Sequence, residues 1–410
     1  MNAIRVQLEV VTVYGYGSSY NRLPLIHRIL IENPGETLEG LTVTIRVSPA
    51  FFVEKKIPLG KLEEKSAYAV CTPELSFDST YLAYLKEPVP ATVFVSLEKD
   101  GQIVAEGKRG MTLITADGWS GSETLPELLS VLVSPAQPEI DKIASAASQV
   151  LITRGIFRKR EYGNHSPKSI MTMMECLYHT LRTLRLSYAM QAPDYSQKGL
   201  KLKFPEGVIH TRSGNSLEIA LLYASLLEAM GCHPVIALFG SQALVGCFIR
   251  ELCYPSPVVD TYETLFLPDP ITPKKEAVCW IDSGSFAYGT AISFADAVRN
   301  AKNIMNDHTE HFVMAVDIRR ARRCGLSPLP NRVSEGEGFY FEHTDCRTSG
   351  TLPGYDDLIL DTEGDAFDRT AATFRKLLAS QENEILLLTH KGGNGISLID
   401  SQPANQGNPI

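Results

Sequence analysis

The sequence has no C-x-x-C pair among its eight cysteines, and no apolar run of the roughly 18 residues that a membrane-spanning helix needs. The scattered cysteines therefore indicate neither a structural zinc site nor a disulfide framework. Reduced thiols in the cytoplasm are the simplest expectation. The first ten residues alternate like a strand and lack the continuous apolar segment of a signal peptide. We expect a cytoplasmic protein that has no membrane partner, no metal and no other cofactor.

An excess of positive charge is also missing, because the net charge of the 410 residues is −8 at pH 7. This argues against a chain whose whole surface binds nucleic acid, although a local basic cluster could still do so. One cluster, formed by Arg154, Arg158, Lys159 and Arg160, has an aromatic residue between its charges, a pattern compatible with nucleic-acid contact. A denser cluster spans residues 319–323. Such runs are more commonly solvated helix faces that pair with nearby acids.

The pattern of apolar and polar residues along the chain predicts an α+β fold made of several parts. Residues 1–116 alternate apolar and polar positions between turn signals such as Asp100-Gly101, which predicts an antiparallel β-sandwich of immunoglobulin-like type. Residues 117–324 begin with helical periodicity and continue with apolar strands, so a second, α+β domain is expected. Residues 325–360 are rich in Pro, Gly and Ser and predict a linker. Residues 361–410 predict a small helix and strand element.

The stretch "HTRSGNSLEIALLYASLLEAMGCHPVIALFG", from His210 to Gly240, carries the strongest chemical signals. Asn215 is a good helix N-cap, and Glu218 stands three residues later, where a capping box requires it. Ser216 is then the first helical residue, and the apolar residues that follow predict a central, buried helix. A nucleophile is favoured at such a position because the helix dipole and free N–H groups stabilise developing negative charge.

This stretch resembles the transglutaminase-like (cysteine-protease-like) superfamily, whose central helix begins with a cysteine nucleophile and whose next strands carry a histidine and an aspartate. It is more similar still to the N-terminal region of large bacterial helicase-related proteins. The segments that carry the resemblance are "NSLEIALLYASLLEAMGCHP", "SQALVGCFI", "CWIDSG", "GWSG", "SPAQPEI" and "AVDIRRARRCGLSPLP". By this resemblance Ser216 stands at the cysteine position, Gln242 at the histidine position and Asp282 at the acid position. No ATP-binding loop of the GxxxxGK[ST] kind occurs in the chain.

Two of the three positions have therefore lost groups that transfer protons. A serine hydroxyl needs a working base, and a glutamine amide does not titrate. Losing one such group costs on the order of ten-thousand-fold in rate. The resemblance implies a non-catalytic scaffold or recognition module in a bacterial helicase-associated system, which would fit anti-phage defence. It also implies a helicase or nuclease as a partner, encoded nearby or in the same longer chain.

Two other functions stay open at this point. In the first, the chain is a hydrolase or acyltransferase whose nucleophile is Ser216 and whose base is His210, the nearest histidine in the sequence. In the second, it is a nucleic-acid-binding accessory domain that acts through the basic residues 154–160. In the non-catalytic interpretation Ser216 and Gln242 could hydrogen-bond to each other, and Asp282 could equally cap a turn that includes Gly284.

Overall fold

The computed structural model describes residues 4–153, 166–189, 193–240, 242–289, 292–307, 309–335, 338–341, 385–389 and 396–400. The chain divides into a large unit, Met1–Cys346, and a small unit, Arg347–Ile410. The large unit contains both helices and sheets, so the α+β fold class predicted from the sequence is confirmed. In the described part of the chain, no helix is both long enough and apolar enough to cross a membrane.

The first part of the large unit consists of two β-sheets and two short helices. The strands are β1 (Arg5–Val10), β2 (Val13–Gly15), β3 (Ile26–Asn33), β4 (Leu38–Ser48), β5 (Lys55–Leu62), β6 (Ser66–Cys71), β7 (Val89–Lys99) and β8 (Gln102–Ile114), and the helices are α1 (Tyr16–Tyr20) and α2 (Ser79–Ala83). One sheet has the strand order β1-β3-β6, and the other has the order β2-β8-β7-β4-β5. Buried apolar residues of both sheets belong to one continuous core.

Turn chemistry explains the longest hairpin of these sheets. Asp100 and Gly101 have φ angles of 50° and 77°, and the hairpin that they close pairs β7 with β8, as predicted. Pro58 and Gly60 interrupt the alternating pattern of β5, and both are tolerated because β5 lies at the edge of its sheet. The predicted purely antiparallel arrangement is wrong at β2, which is fully buried and pairs in parallel with β8.

The second part of the large unit contains the central helix and the sheet on which it packs. Its elements are β9 (Gly118–Trp119), α3 (Pro138–Thr153), α4 (Pro167–Arg182), β10 (Ser187–Tyr188), β11 (Leu200–Lys201), α5 (Pro205–Thr211), β12 (Ser213–Gly214), α6 (Ser216–Ala229), β13 (Pro234–Phe239), β14 (Gln242–Phe248), β15 (Val258–Val259), β16 (Val278–Asp282), α7 (Phe294–Asp307), β17 (Phe312–Asp317) and α8 (Ile318–Arg323). Five of the strands form an antiparallel sheet with the order β15-β17-β13-β14-β16.

Helix α6 is the centre of this part, as its uniformly apolar sequence predicted. Every residue from Ser216 to Leu227 is buried, which is expected of a helix that is apolar on all sides. Strand alternation separates the two faces of the sheet. Ala243 and Val245 of β14 belong to the main core together with α6, whereas Leu244 belongs to a second core with residues of α7. The main core also includes the N-terminal sheets, so the segments 1–116 and 117–324 lie in one compact unit.

The linker predicted at residues 325–360 is wrong over its first part. Strands β18 (Arg332–Glu335) and β19 (Gly338–Phe341) form a hairpin there, and Leu326, Leu329 and Phe341 are buried in the main core. These apolar residues follow no helical or strand period, yet each packs against segments that are distant in sequence. Residues 342–360 lie outside the described residues.

In the small unit, two strands lie within the element predicted at residues 361–410. The strand expected at "EILLLTH" is confirmed as β20 (Ile385–Thr389), which pairs antiparallel with β21 (Ile396–Asp400). The helix predicted before this strand lies outside the described residues.

Candidate functional site

The start of α6 is built as the sequence predicted. Oδ1 of Asn215 accepts a hydrogen bond from the backbone N–H of Glu218 at 3.0 Å, and Oε2 of Glu218 accepts one from the backbone N–H of Asn215 at 2.9 Å. This capping box fixes Ser216 at the first helical position. The Glu218 carboxylate, only 7% exposed, also accepts the backbone N–H of Lys203 at 2.9 Å. Its negative charge offsets the positive end of the helix dipole, so a second negative charge beside Ser216 is disfavoured.

Removing the cap should have a moderate and measurable effect. Asn215→Ala is expected to lower the free energy of unfolding by about 1 kcal/mol, because the N–H of Glu218 loses its acceptor. Urea denaturation followed by circular dichroism measures the loss. Asn303→Ala, at an exposed position in α7, is the matched control and should stay within about 0.5 kcal/mol of the wild type. Equal losses in the two variants would show that the cap contributes nothing specific.

Two tyrosines cover the hydroxyl of Ser216, which is only 2% exposed. The Tyr195 hydroxyl lies 3.5 Å from Ser216 Oγ and is itself buried, and Tyr188 also hydrogen-bonds to Ser216. Burial raises the pKa of both phenols above the ordinary tyrosine value. Both phenols are therefore protonated at neutral pH, and neither can accept the proton of Ser216 as a general base.

The GWSG motif singled out in the sequence holds Tyr195 in place. The backbone N–H of Ser122 donates to the Tyr195 carbonyl at 2.8 Å, and β9 pairs with β11, so that Trp119 stands opposite Leu200. Gly121 has a φ of 92°, and a Cβ at this position would lie 2.9 Å from the Gln197 carbonyl oxygen. Only glycine fits here, because the 195–197 backbone runs directly against it.

Tyr188 is brought to the same place by a short parallel pairing. Strand β10 pairs with β12, which directly precedes the N-cap of α6, and the backbone N–H of Ala189 donates to the Gly214 carbonyl at 2.9 Å. No local pattern marks Tyr188 or Tyr195 as site residues. Both come from the connection between α4 and α5 and reach Ser216 only through tertiary pairing, which is why they were not predicted.

Gln242 is not directed at α6 by its strand. Its cross-strand partner is Phe239, and its neighbour two positions along β14 is Leu244; both belong to the second core, on the face of the sheet opposite α6. Because side chains alternate along a strand, Gln242 shares that face. Its Oε1 is buried and accepts no hydrogen bond from any residue that the structure describes. A hydrogen bond from Ser216 to this oxygen, which the sequence left open as a possibility, is therefore not formed.

Asp282 caps a turn at the end of β16, one of the two roles left open by the sequence. Its Oδ1 accepts the backbone N–H of Gly284 at 2.9 Å, and its Oδ2 accepts the hydroxyl of Ser285 at 2.9 Å. Register pairs Asp282 with Leu244 on the neighbouring strand. The carboxylate is thus engaged by the turn that follows it, rather than by an imidazole.

His210, the candidate base, lies in helix α5. Its Nε2 is 3.9 Å from Oε1 of Glu139 in α3, and about half of its side chain is exposed. The other four histidines within the described residues are engaged or exposed elsewhere: His27 on β3, His179 beside Glu175, His233 against Arg319, and His311 just before β17. His165, His308, His343 and His390 lie outside the described residues.

Of the two basic clusters, Arg154, Arg158, Lys159 and Arg160 lie outside the described residues. The cluster at 319–323 forms α8 and joins neighbouring elements. Arg322 contacts both carboxylate oxygens of Glu228 in α6, at 3.0 and 3.1 Å, and also the carbonyls of Ser130 and Val133. Its role is structural, in agreement with the predicted pairing of this helix face with acids.

The cysteines beneath α6 behave as small buried side chains. Cys232 and Cys247 are buried, and Cys279 stands opposite Cys247 in the register of the sheet. Burial raises the pKa of Cys279 to about 12, and the pKa of Cys232 is also raised, first by its hydrogen bond with Cys247 and then by burial. The thiols of Cys232 and Cys279 therefore stay protonated and unreactive at neutral pH. Among the described residues, no group of three or more His, Cys, Asp or Glu side chains is arranged to hold a metal ion.

No protein-family model matches the chain, and no curated protein matches it. Among solved structures, the chain is similar to a crystal structure of "a putative protease from Parabacteroides distasonis ATCC 8503", with a TM-score of 0.21 and 10% sequence identity. The match covers 54% of this chain and 40% of that protein, so the chain spans less than half of its length. At this TM-score the similarity carries no argument about fold or activity.

Proposed function

We propose that this chain is a non-catalytic scaffold or recognition module, with an immunoglobulin-like sandwich followed by a degenerate transglutaminase-like domain. The observation that carries the proposal is the burial of Ser216 beneath Tyr195. A nucleophile has to meet both its substrate and its base, and Ser216 is 2% exposed and contacts phenols that keep their protons at neutral pH.

The other two positions of the proposed triad support the same function. Gln242 carries a non-titrating amide on the face of the sheet opposite α6, and the Asp282 carboxylate accepts hydrogen bonds from its own turn. The Glu218 carboxylate at the helix N-terminus further disfavours an oxyanion there. Acyl transfer needs a base, an acid that orients this base and a site that stabilises the oxyanion. Each of these three features removes one of these requirements.

The resemblance of the sequence to helicase-related proteins suggests the setting in which such a module would work. We propose a partnership with a helicase or nuclease, encoded nearby or in the same longer chain, in a bacterial defence system. The genes that flank this one test the idea directly. Neighbours with no helicase, nuclease or other nucleic-acid enzyme among them would argue against it.

Chemical accessibility at residue 216 tests the proposed inactivity. The thiol introduced by Ser216→Cys is expected to react with iodoacetamide at least about tenfold more slowly than Cys71, because it becomes accessible only through local opening. Cys71 is exposed in the same chain, so peptide mapping after a timed reaction gives an internal reference. Adding Tyr195→Ala should raise the rate at position 216 and leave the rate at Cys71 unchanged.

A fluorophosphonate probe separates this proposal from the hydrolase or acyltransferase alternative. The wild-type protein is expected to show no labelling at Ser216, and Ser216→Ala serves as its matched control. Labelling of the wild type that disappears in Ser216→Ala would overturn the proposal and make Ser216 an active nucleophile.

A further inference from the structure

A cleft of about 610 Å³ opens beside the C-terminal end of α4, and Ser216 is not among the residues that line it. It is lined by four residues of the α4 end and by the turn that follows Asp282; the lining residues are His179, Arg182, Thr183, Arg185 and residues 286–289. The size lies within the range of about 300–1,000 Å³ that is usual for small-molecule sites. The backbone N–H of Tyr288 donates to the Leu186 carbonyl at 2.7 Å, which holds the two walls together.

One wall of this cleft is positively charged. Arg182 is oriented by a hydrogen bond to the Ile292 carbonyl, and its guanidinium lies 5.7 Å from the centre of the Tyr178 ring. Arg185 is exposed and forms no ion pair with any carboxylate that the structure describes. His179 stands 3.9 Å from Glu175, and the two arginines carry the permanent positive charge of the wall.

Three carbonyl groups at the end of α4 already accept backbone hydrogen bonds. The backbone N–H groups of Thr183, Leu184 and Arg185 donate to the carbonyls three residues earlier, at 3.0–3.1 Å. Two guanidinium groups beside a cleft are well suited to phosphate oxygens, because each guanidinium offers several N–H donors in a fixed plane.

The other wall presents an aromatic surface. Tyr288 is 65% exposed, an unusual state for a large ring, and the buried Phe286 also lines the cleft. The Arg185 guanidinium lies 5.5 Å from the centre of the Tyr288 ring. An exposed ring beside two cations can stack with a planar group of a ligand whose anionic part reaches the arginines.

From this arrangement we propose that the cleft binds a ligand of the mononucleotide class, with its phosphate on Arg182 and Arg185 and its base on Tyr288. A nucleoside monophosphate combines the two groups that the walls of the cleft would bind, an anion and a planar ring. The proposal depends only on the cleft, so it stands whether or not Ser216 is inert.

Isothermal titration calorimetry at low ionic strength tests this site, with adenosine 5′-monophosphate, adenosine and inorganic phosphate as three separate ligands. The monophosphate is expected to bind more tightly than either fragment. Arg185→Asn removes the charge and keeps a residue that tolerates the φ of 55° found here; it should raise the Kd for the monophosphate at least about tenfold. Tyr288→Ala should raise it at least about fivefold and leave the binding of inorganic phosphate unchanged.

Arg109→Ala and Tyr68→Ala, which alter an exposed arginine and an exposed tyrosine of the N-terminal sheets, are the matched controls and should bind like the wild type. Absence of binding by the wild-type protein, or a Kd that Arg185→Asn leaves unchanged, would overturn the proposal. Equal affinities for the monophosphate and inorganic phosphate, with no effect of Tyr288→Ala, would overturn the part played by the ring.

Discussion

Arg332→Ala is expected to lower the free energy of unfolding by about 3–5 kcal/mol, because it leaves a buried carboxylate without its partner. Arg332 is fully buried, and its Nε and Nη2 contact the two carboxylate oxygens of Glu206 at 2.7 and 3.1 Å. The Nη2 group also donates to Ser134 Oγ at 2.8 Å, and the guanidinium lies 3.9 Å from the centre of the Phe204 ring. Chemical denaturation monitored by tryptophan fluorescence measures the loss.

This ion pair attaches the segment that the sequence predicted as a linker. The same residue is held through its backbone as well, because its carbonyl accepts a hydrogen bond from Gln137 Nε2 at 2.5 Å and its N–H donates to Gln137 Oε1 at 3.1 Å. Loss of the side chain should therefore loosen the β18–β19 hairpin first. Hydrogen exchange in this hairpin is expected to rise more than in α6.

Two further variants make the result interpretable. Arg28→Ala removes an exposed ion pair with Glu9 and should leave the unfolding midpoint essentially unchanged. Arg332→Met combined with Glu206→Leu replaces both charges with apolar groups and should recover much of the stability that Arg332→Ala loses. A loss below about 1 kcal/mol in Arg332→Ala would contradict a buried, fully paired guanidinium.

His233 is expected to make the protein sensitive to acid. Its ring is only 8% exposed and lies against the Arg319 guanidinium, whose Nη1 is 2.6 Å from its Nδ1. Burial, and then the positive charges of Arg319 and Arg323, lower the pKa of His233 to about 3, from an ordinary value of 6.5. As the pH falls below 6.5, the unfolded chain binds a proton at this residue and the folded chain does not. Stability is therefore present above pH 6.5 and is lost progressively toward pH 3.

The size of this effect follows from the same two pKa values. Between pH 7.5 and pH 5.0, the wild type should lose about 2 kcal/mol more stability than His233→Gln, which keeps a hydrogen-bond acceptor but does not titrate. Urea denaturation of both proteins at the two pH values measures the difference. His27→Gln, at an exposed position on β3, is the control.

A second buried group titrates in the same range with the opposite sign. Burial raises the pKa of Asp317 to about 6, so its contribution to stability falls as the pH rises from about 4 to 6. Asp317 is present in both the wild type and His233→Gln, so its effect cancels when the two are compared. A difference between these proteins that stays constant from pH 7.5 to 5.0 would mean that the folded protein protonates His233.

The sequence predicted the fold best where the signal was local. The capping box of Asn215 and Glu218 and the hairpin turn at Asp100-Gly101 both depend on residues within a few positions of one another, and both are confirmed. It predicted the fold least well in the first part of the expected linker, where Leu326, Leu329 and Phe341 are buried among residues distant in sequence.

The candidate site shows the same difference between features set by local sequence and features set by distant packing partners. The position of Ser216 at the start of α6 was predicted, because capping and periodicity fix where a helix begins. The face of the sheet to which Gln242 belongs required the register of β13 with β14, and the engagement of His210 with Glu139 required the packing of α5 beside α3. Neither the face on which Gln242 lies nor the contact of His210 with Glu139 can be predicted from residues nearby in the sequence.

What the amino-acid sequence determined by itself was the α+β class, the buried central helix and the presence at 216 and 242 of a serine and a glutamine, whose side chains do not titrate near neutral pH. Whether the Ser216 hydroxyl is accessible was decided only by the tertiary structure, which brings Tyr188 and Tyr195 over it. The tertiary structure also decided that Arg332 pairs with Glu206. The physical reason is one of range. Capping and periodicity act over a few residues, whereas coverage of a side chain depends on segments that meet only when the whole core has formed.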